Sequence, residues 1–538
     1  MEPQTVSLDQ EIERRRTFAI ISHPDAGKTT LTEKLLLYGG AVHLAGAVKA
    51  RRQQQHAVSD WMELEKQRGI SVTSTVLSFD YKGMRLNLLD TPGHQDFSED
   101  TYRTLLAADA AVMILDAARG LQTQTLKLFE VCKQRNLPLF TFINKMDRPS
   151  LEPLDLLDEV ERTLGLRTVA MNWPLGNGQN FQGVYDLMNK EVHLYERTNH
   201  GRSRATVSVL SPTDKAIEEL ADPLSFKQFV EEIELLESAA ESFDREEFLA
   251  GRQTPVYFGS AVTNFGVQLF LDQFLGMAPS PVPRKLVEGE VKSIDPVTPQ
   301  LSGFVFKIQA DMNPKHRDHV AFLRICSGRF ERGMKVKCQR TGADLRLSNP
   351  QQLFAQSREV VEEAYAGDVV GLVNAGDLIL GDTLIEGNKK FRFEPVPQFS
   401  PEHFARVTVL DPSRRKQFRK ALDQMNLEGA VQVFWLHDAS TYDPVIGAVG
   451  KLQFEVVDFR LQTDYGVETT LEHMTYKLVR WVEAPKEIIE KLQVSRGSRR
   501  GKDSWDREIV LFPGQWDLDY AKEKNPGAVF QSVSRVGH

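Results

Sequence analysis

Short apolar runs alternate with amphipathic stretches over the first 280 residues of the chain. The runs are rich in aliphatic and β-branched residues, as in buried parallel strands, and the stretch 122–135 between two of them has helical periodicity. The runs lie at residues 17–22, 86–89, 110–115 and 137–143. This alternation predicts a doubly wound α/β sheet, whose ligand crevice lies at the carboxyl ends of the strands.

The interval between the strand at 137–143 and another short strand at 255–259 is much longer than one helix and one strand require. We therefore predict an inserted subdomain at about 171–254 within a first domain spanning 1–280. Strand patterns, a polar loop and a long acidic helix are expected there, at 183–187, 191–195, 199–204 and 226–249 respectively. An acidic helix of this kind is most simply interpreted as a solvated face.

The pattern changes after Pro279, Pro281 and Pro283, which predict a stiff extended linker. Short β runs separated by glycine turns follow at 303–309, 320–326, 334–339 and 368–373. Because no helical period persists there, residues 281–390 are predicted to form a small β-barrel.

The last part, 391–538, mixes strands and helices and predicts an α+β domain of the split βαβ kind. Its strands are expected at 404–410, 431–435 and 469–472, and its helices at 414–425 and 450–460. The first helix has a basic face, which is either a solvated surface or a contact with RNA or protein; this face comprises Arg414, Arg415, Lys416, Arg419 and Lys420. A second basic group, Arg496, Arg499, Arg500 and Lys502, is interpreted as a flexible loop or a phosphate contact.

Composition limits the function classes. A length of 538 residues corresponds to three to four domains at ~150 residues each. The net charge of -8 provides no global attraction to nucleic acid, so any RNA contact must come from local basic patches. Three widely spaced cysteines argue for a reducing compartment and against a zinc site. With no signal-peptide pattern and no apolar stretch long enough to span a bilayer, we expect a soluble, cytoplasmic protein with no membrane contact.

The first strand leads into SHPDAGKTT at 22–30, a turn followed by the start of a helix. The free N–H groups of such a turn and helix end can surround a phosphate, Lys28 can bridge β- and γ-phosphates, and the Thr29 hydroxyl can bind Mg²⁺. Ser22 stands where the usual pattern has glycine, and by itself the segment is also compatible with an ordinary turn. The predicted nucleotide-binding residues here are His23, Pro24, Asp25, Ala26, Gly27, Lys28, Thr29 and Thr30.

Polar residues follow the strand at 86–89 as Asp90-Thr91-Pro92-Gly93-His94. Asp90 can hold Mg²⁺ through water, and the Gly93 N–H can sense a γ-phosphate. Alone, this segment is also a good turn sequence.

The strand at 137–143 is followed by Asn144-Lys145-Met146-Asp147. Asp147 can accept hydrogen bonds from N1–H and the exocyclic amine of guanine, a pair of donors that adenine lacks. Lys145 can lie along the base plane, and Asn144 can tie this loop to the phosphate loop. After the strand at 255–259, Ser260 and Ala261 can place a backbone N–H near guanine O6.

Four such loops each follow an apolar strand. In chain order, the first is predicted to bind the phosphates, the second magnesium and the γ-phosphate, and the third and fourth the base. Together they predict a site for GTP and GDP with Mg²⁺. The chain resembles the translational GTPases, whose signatures HxDxGKT, RGI followed by Thr, DTPGH and NKxD stand here at 23–29, 68–71, 90–94 and 144–147.

The resemblance implies particular roles. Ser71 occupies the position of a threonine whose hydroxyl binds Mg²⁺; serine keeps the oxygen and lacks the methyl group. His94 is implied to be the catalytic residue, which orients the attacking water when the ribosome is contacted. Asp25 is implied to support the same polar centre, or it stabilises the turn as an Asx residue. The stretch 39–71 is expected to be a loop that the γ-phosphate and Mg²⁺ order.

The insertion is similar to those that occur in the elongation factor G branch of the family. The barrel resembles the second domain of the translational GTPases, which contacts the small ribosomal subunit. Only about 150 residues follow the barrel, too few for the further domains of elongation factor G. The resemblance therefore implies a monomeric, ribosome-stimulated GTPase of translation termination, which contacts ribosomal RNA and proteins and drives class I peptide chain release factors from the ribosome. The alternatives are a truncated elongation factor G-like GTPase and a non-ribosomal regulatory GTPase switch.

Overall fold

The computed structural model describes residues 6–40, 74–92, 96, 98–196, 205–212, 214, 217–218, 223–239, 242–310, 319–354, 357–373, 377–437 and 443–535. Three predicted site residues, Ser71, Gly93 and His94, lie outside the described residues, as does the predicted polar loop 199–204. Within the described ranges, no helix is both long and apolar enough to cross a membrane.

A seven-stranded sheet forms the centre of the first 280 residues. Its strands are β1 Arg15–Ser22, β2 Thr75–Tyr81, β3 Met84–Asp90, β4 Ala110–Asp116, β5 Leu139–Asn144, β6 Arg167–Ala170 and β11 Gln253–Phe258. The strand order is β2-β3-β1-β4-β5-β11-β6. All neighbours are parallel except the β2–β3 hairpin. This arrangement confirms the predicted doubly wound α/β class.

Helices cover both faces of this sheet. Because successive side chains of a strand point to opposite faces, Phe18 and Ile20 of β1 enter one hydrophobic core while Ala19 and Ile21 enter the other. The helices of this region are α1 Leu8–Glu13, α2 Lys28–Tyr38, α3 Ser98–Ala107, α4 Thr123–Gln134, α5 Pro153–Leu164, α6 Pro223–Ala239, α7 Arg245–Leu249 and α8 Val267–Met277.

Within the predicted insertion, four strands form an antiparallel sheet. They are β7 Asn172–Leu175, β8 Gly183–Asp186, β9 Glu191–Tyr195 and β10 Val207–Leu210, with a 3₁₀ turn at Gly178–Asn180. The order in the sheet is β10-β9-β8-β7.

The single long acidic helix predicted for 226–249 is wrong. Helix α6 ends at Ala239, and α7 starts separately because Asp244 caps it, accepting hydrogen bonds from the N–H groups of Glu246 and Glu247. The acidic face of α6 is also not simply solvated. Trp173 Nε1 donates to Glu232 and the Tyr185 hydroxyl donates to Glu237, at 2.7 and 2.8 Å.

The next region is β-barrel-like, in agreement with the predicted class. Its main sheet consists of β14 Ser302–Ala310, β15 His319–Ser327, β17 Lys335–Cys338, β18 Asp344–Arg346, β19 Pro350–Phe354, β20 Ser357–Val360, β22 Val369–Val373 and β23 Thr383–Ile385. These eight antiparallel strands have the order β18-β17-β23-β14-β15-β22-β19-β20. Smaller pairings add β12 Arg284–Glu288, β13 Ser293–Ile294, β16 Arg329–Glu331, β21 Glu363–Tyr365 and β24 Arg392–Phe393.

The C-terminal α+β region contains two copies of one β-α-β-β-α-β arrangement. The first copy consists of β26 His403–Val409, α9 Arg415–Glu428, β27 Gln432–Leu436, β28 Val445–Ala448, α10 Leu452–Thr463 and β29 Thr469–Met474. The second consists of β30 Leu478–Glu483, α11 Lys486–Glu490, β31 Arg499–Asp503, β32 Glu508–Phe512, α12 Gln515–Lys524 and β33 Val529–Gln531. A 3₁₀ turn, Pro412–Arg414, precedes α9, and β25 Pro397–Phe399 pairs with β34 Val533–Arg535.

The two copies join edge to edge into one eight-stranded sheet of order β29-β26-β28-β27-β31-β32-β30-β33. The second strand of each copy meets the other at the centre, where β27 pairs with β31. The interpretation of Arg499, Arg500 and Lys502 as a flexible loop is therefore wrong, because all three lie in β31.

Candidate functional site

The predicted phosphate loop connects the buried end of β1, at Ser22, to the start of α2, at Lys28. Its backbone turns through two left-handed positions, with φ of 65° at Asp25 and 97° at Gly27. A Cβ atom on Gly27 would lie 2.2 Å from Asn144 Nδ2, so the loop needs glycine for both its conformation and its close packing. The first N–H groups of α2 point into this loop because a helix start leaves them without partners in the helix.

Lys28 and Asp90 form an ion pair beside the phosphate loop. The sequence predicts that Lys28 contacts phosphate and that Asp90 contacts magnesium. Nζ of Lys28 lies 2.6 Å from Oδ1 of Asp90, and their side chains are 7% and 2% exposed. Strand β3 supplies Asp90 beside β1, and the next residue, Thr91, donates its hydroxyl hydrogen bond to the Ile20 carbonyl at 2.6 Å. The ends of β1 and β3 are thus fixed against each other.

Asn144, at the end of β5, connects three of the predicted loops. Its Nδ2 donates to the Ala26 carbonyl at 2.8 Å, and its Oδ1 accepts from the Ala261 N–H at 2.9 Å. The residue is 2% exposed, so these hydrogen bonds are shielded from water. The phosphate loop and the two base loops therefore form one unit.

The predicted base-binding residues also contact one another. The Ser260 hydroxyl donates to Oδ1 of Asp147 at 2.6 Å, and the Met146 N–H donates to the Gly259 carbonyl at 3.2 Å. This joins the loops after β5 and β11 on the same edge of the sheet.

Sequence reasoning missed Asp116, which ends β4 and holds Lys145 at 2.8 Å. Although burial raises it, the pKa of Asp116 lies below its ordinary value because Lys145 and the Ala118 N–H bind the carboxylate. Lys145 has a left-handed backbone (φ 72°), and the ion pair keeps its stem beside the predicted base loop. The signal was available, since Asp116 is polar and ends a strand between two others that carry predicted loops.

His23, at the start of the phosphate loop, has a displaced pKa. Burial lowers the pKa of His23 below its ordinary value, and Arg119 lowers it further, against the opposing effect of Asp25. The Nδ1 atom is buried without a hydrogen-bond partner among the described residues, as is the Ser22 hydroxyl. Burial and Arg119 thus both favour the uncharged imidazole.

Family models match three successive parts of the chain. Residues 13–280 match the elongation factor Tu GTP binding domain, 300–387 match elongation factor G domain 2, and 393–522 match the class II release factor RF3 C-terminal domain. A solved structure from Thermus thermophilus shares the fold, with a TM-score of 0.67 and 24% identity over 91% of this chain and 72% of that one.

Full-length relatives are more similar. Proteins named peptide chain release factor 3 from Gloeothece citriformis and Microcystis aeruginosa are each 54% identical, over 99% and 100% of this chain and 98% of their own lengths. The protein of that name from Synechocystis is 56% identical over 95% of this chain and 93% of its own length.

The nucleotide-binding fold of the first 280 residues and the family matches to three parts of the chain define a translational GTPase, an enzyme that hydrolyses GTP. Because the relatives match over nearly their whole lengths, a truncated elongation factor and a non-ribosomal switch are not favoured. The chain belongs to the peptide chain release factor 3 family and is a GTPase of translation termination.

Proposed function

We propose that this GTPase acts on the ribosome after peptide release and drives off a bound class I peptide chain release factor. Support comes from the family and from the C-terminal region, which matches a release factor domain over residues 393–522. The protein works as a cytoplasmic monomer in three domains, 1–280, 281–390 and 391–538, with an insertion at about 171–254.

The observation that carries the site assignment is the 2.6 Å contact between Lys28 and Asp90. This contact joins the first residue of α2 to the end of β3, which supports a shared site for phosphate and magnesium. Lys28 and the N–H groups of 23–30 bind the phosphates, and the Gly93 N–H senses the γ-phosphate. Asp147 reads the guanine edge, with Asn144, Lys145, Ser260 and Ala261 shaping its surroundings.

The oxygen donors at this edge suit Mg²⁺, which prefers hydroxyl, carboxylate and phosphate oxygens. Thr29 follows Lys28 in the first turn of α2, and the nearly fully buried Asp90 carboxylate contacts Lys28. Thr29, Ser71 and, through water, Asp90 would hold the ion. When bound, Mg²⁺ neutralises charge on the phosphate oxygens.

His94 supplies the positioning that phosphoryl transfer needs. Its imidazole orients a water in line with the γ-phosphate once the ribosome moves it into place, and free protein therefore hydrolyses GTP slowly. Ser71 and Gly93 respond to the γ-phosphate, so hydrolysis changes their segments and releases the GTPase from the ribosome.

The decisive experiment measures loss of a fluorescently labelled class I release factor from terminated ribosomes. Wild-type protein with GTP should accelerate the loss, and messenger RNA should not move. His94→Ala should retain GTP binding while ribosome-stimulated turnover falls by roughly 10³- to 10⁵-fold, the range of positioning groups in GTPases. Lys28→Ala should abolish tight nucleotide binding and serves as the matched binding-defective variant.

Unchanged residence of the class I factor with wild-type protein and GTP would contradict the proposal. Movement of messenger RNA would instead indicate a translocase. A His94→Ala variant with wild-type turnover would contradict the catalytic assignment alone.

A further inference from the structure

Lys307, in the barrel strand β14, reaches out of its own domain and into the GTP-binding domain. Its Nζ donates to the Ser74 carbonyl and to the Ser74 hydroxyl, the latter at 2.7 Å, and lies 3.6 Å from Oδ2 of Asp100. The Ser74 N–H in turn donates to the same Asp100 oxygen at 2.8 Å. The three residues therefore close a ring of contacts, in which the lysine side chain is only 6% exposed.

The two residues that Lys307 contacts lie close in the sequence to the predicted site residues Ser71 and His94. Ser74 immediately precedes β2 and follows Ser71 by three positions, while Asp100 lies in the first turn of α3, six positions after His94. One ammonium group therefore contacts a residue near each of the two proposed γ-phosphate-responsive positions in the chain.

Buried charged pairs on neighbouring parts of the barrel join that domain to the GTP-binding domain. Asp109 is fully buried and paired with Arg324 of the neighbouring barrel strand and with Arg284, whose Nη2 lies 2.7 Å away. Asp368 of the barrel accepts from Arg15 at 2.7 Å and from Asn87 at 3.0 Å. Because β14 pairs with β15, which carries Arg324, these pairs hold the barrel sheet that contains Lys307 against the first domain.

The local geometry of β14 favours this role. The pairing of β14 with β15 shifts register between Val305 and Lys307. Irregularities of this kind redirect side chains and occur beside functional sites. Although burial raises it, the pKa of Asp100 lies below its ordinary value because Lys307 and Ser74 stabilise the carboxylate.

We propose that Lys307 is a positioning residue for GTP hydrolysis, which fixes the ends of the segments bearing Ser71 and His94 relative to each other. The inference rests on the proposed roles of Ser71 and His94. Misplacing a reacting group by about 1 Å can cost roughly 100-fold in rate, so an ammonium group that only sets positions can have a large kinetic effect.

The test compares Lys307→Met with Lys335→Met, a matched change at an exposed lysine of the same domain, in strand β17. Single-turnover GTP hydrolysis on ribosomes, GDP affinity and thermal unfolding are measured for each. Lys307→Met should hydrolyse GTP roughly 10- to 100-fold more slowly, with GDP affinity and ribosome affinity retained. Lys335→Met should behave as wild type, and Lys307→Arg, which keeps the charge, should retain more activity than Lys307→Met.

A double variant distinguishes a positioning role of Lys307 from a general stabilising role. If Lys307 acts through Asp100, then Asp100→Asn combined with Lys307→Met should be no slower than the slower single variant. Multiplicative losses would overturn the proposal. If Lys307→Met fails to fold, Ser74→Ala removes one acceptor only and should still slow hydrolysis without weakening GDP binding.

Wild-type hydrolysis by Lys307→Met would overturn the inference while leaving the proposed function intact. Loss of GDP binding in parallel with thermal stability would likewise overturn it, because Lys307 would then be only structural. Absence of ribosome-stimulated hydrolysis in the wild-type protein would instead refute the proposed function.

Discussion

The side-chain amide of Asn144 donates a hydrogen bond to the carbonyl oxygen of Ala26 at 2.8 Å, linking loops that are 118 positions apart in the chain. The bond is buried, and the phosphate loop packs so closely against the same amide that Gly27 has no room for a side chain. A change on either side of this contact should therefore affect phosphate and base recognition together.

Gly27→Ala should abolish tight binding of both GDP and GTP. The added methyl group would lie 2.2 Å from Asn144 Nδ2, and the φ of 97° is unfavourable for alanine. Isothermal titration with GDP measures the effect. Gly165→Ala, at the end of α5, is the matched control, because its φ of 67° is also left-handed but no atom of the described residues lies within 4 Å of the new Cβ. Equal losses in both variants would show that backbone strain alone is responsible.

Asp147→Asn should shift base preference from guanine toward xanthine, because an amide no longer accepts two hydrogen bonds from the guanine edge. The ratio of affinities for xanthosine and guanosine diphosphate measures the shift. The variant should keep its fold, since the Ser260 hydroxyl can donate to the amide oxygen in place of the carboxylate. Unchanged guanine selectivity would contradict the base-contact assignment.

Asp109→Asn should destabilise the junction between the first domain and the barrel. It would leave Arg324, 1% exposed, without its anionic partner, and breaking a buried pair in this way costs about 3–5 kcal/mol. Urea unfolding measures the loss. Asp158→Asn provides the comparison, because its pair with Arg162 is 70% and 75% exposed and such pairs contribute about 0–1 kcal/mol. Similar costs for the two variants would contradict a stabilising role of the buried pair.

Lys34 should make stability depend on pH in the alkaline range. Burial lowers the pKa of Lys34 from its ordinary value to about 8. Between about pH 8 and the unfolded-state pKa near 10.4, the unfolded chain binds more protons, so folding becomes more favourable as pH rises. Lys34→Met lacks this titration and should be more stable than wild type at pH 7 by roughly 1–3 kcal/mol.

The difference in unfolding free energy between Lys34→Met and wild type should shrink as pH rises from about 8 to about 10.4. Urea unfolding at several pH values measures this difference. Lys133→Met, at a position exposed on α4, controls for the loss of an ordinary lysine. A difference that does not change with pH would show that Lys34 is not protonated at a displaced pKa.

Prediction from sequence succeeded where the pattern was local. The strand expected at 191–195 coincides with β9, and the helix expected at 122–135 is α4 Thr123–Gln134. It failed where a cap or a remote partner decided the outcome. The helix break before Arg245 depends on the Asp244 side chain, and β31 depends on pairing with β27, more than sixty positions earlier.

The same distinction applies to the site. Lys28, Asp90 and Asp147 could be proposed from the sequence because each lies in a polar turn after an apolar strand, and parallel strands bring their carboxyl ends to one edge. Asp116 also follows an apolar strand and could have been identified in the same way. Lys307 could not, since its partner Ser74 is 233 positions away. The roles of Ser71, Gly93 and His94 stay predictions from the sequence.

Apolar periodicity and the order of polar turns sufficed for the fold class, the guanine-nucleotide chemistry and the family, because these depend on residues close together in the chain. Tertiary structure alone decided which side chains join the loops and the domains. Asn144 bridging three loops, Lys307 crossing from the barrel, and two halves of the C-terminal region sharing one sheet all arise from long-range packing. Hydrogen bonds and ion pairs form between groups that folding brings within about 3 Å, and no local pattern records which remote residues those will be.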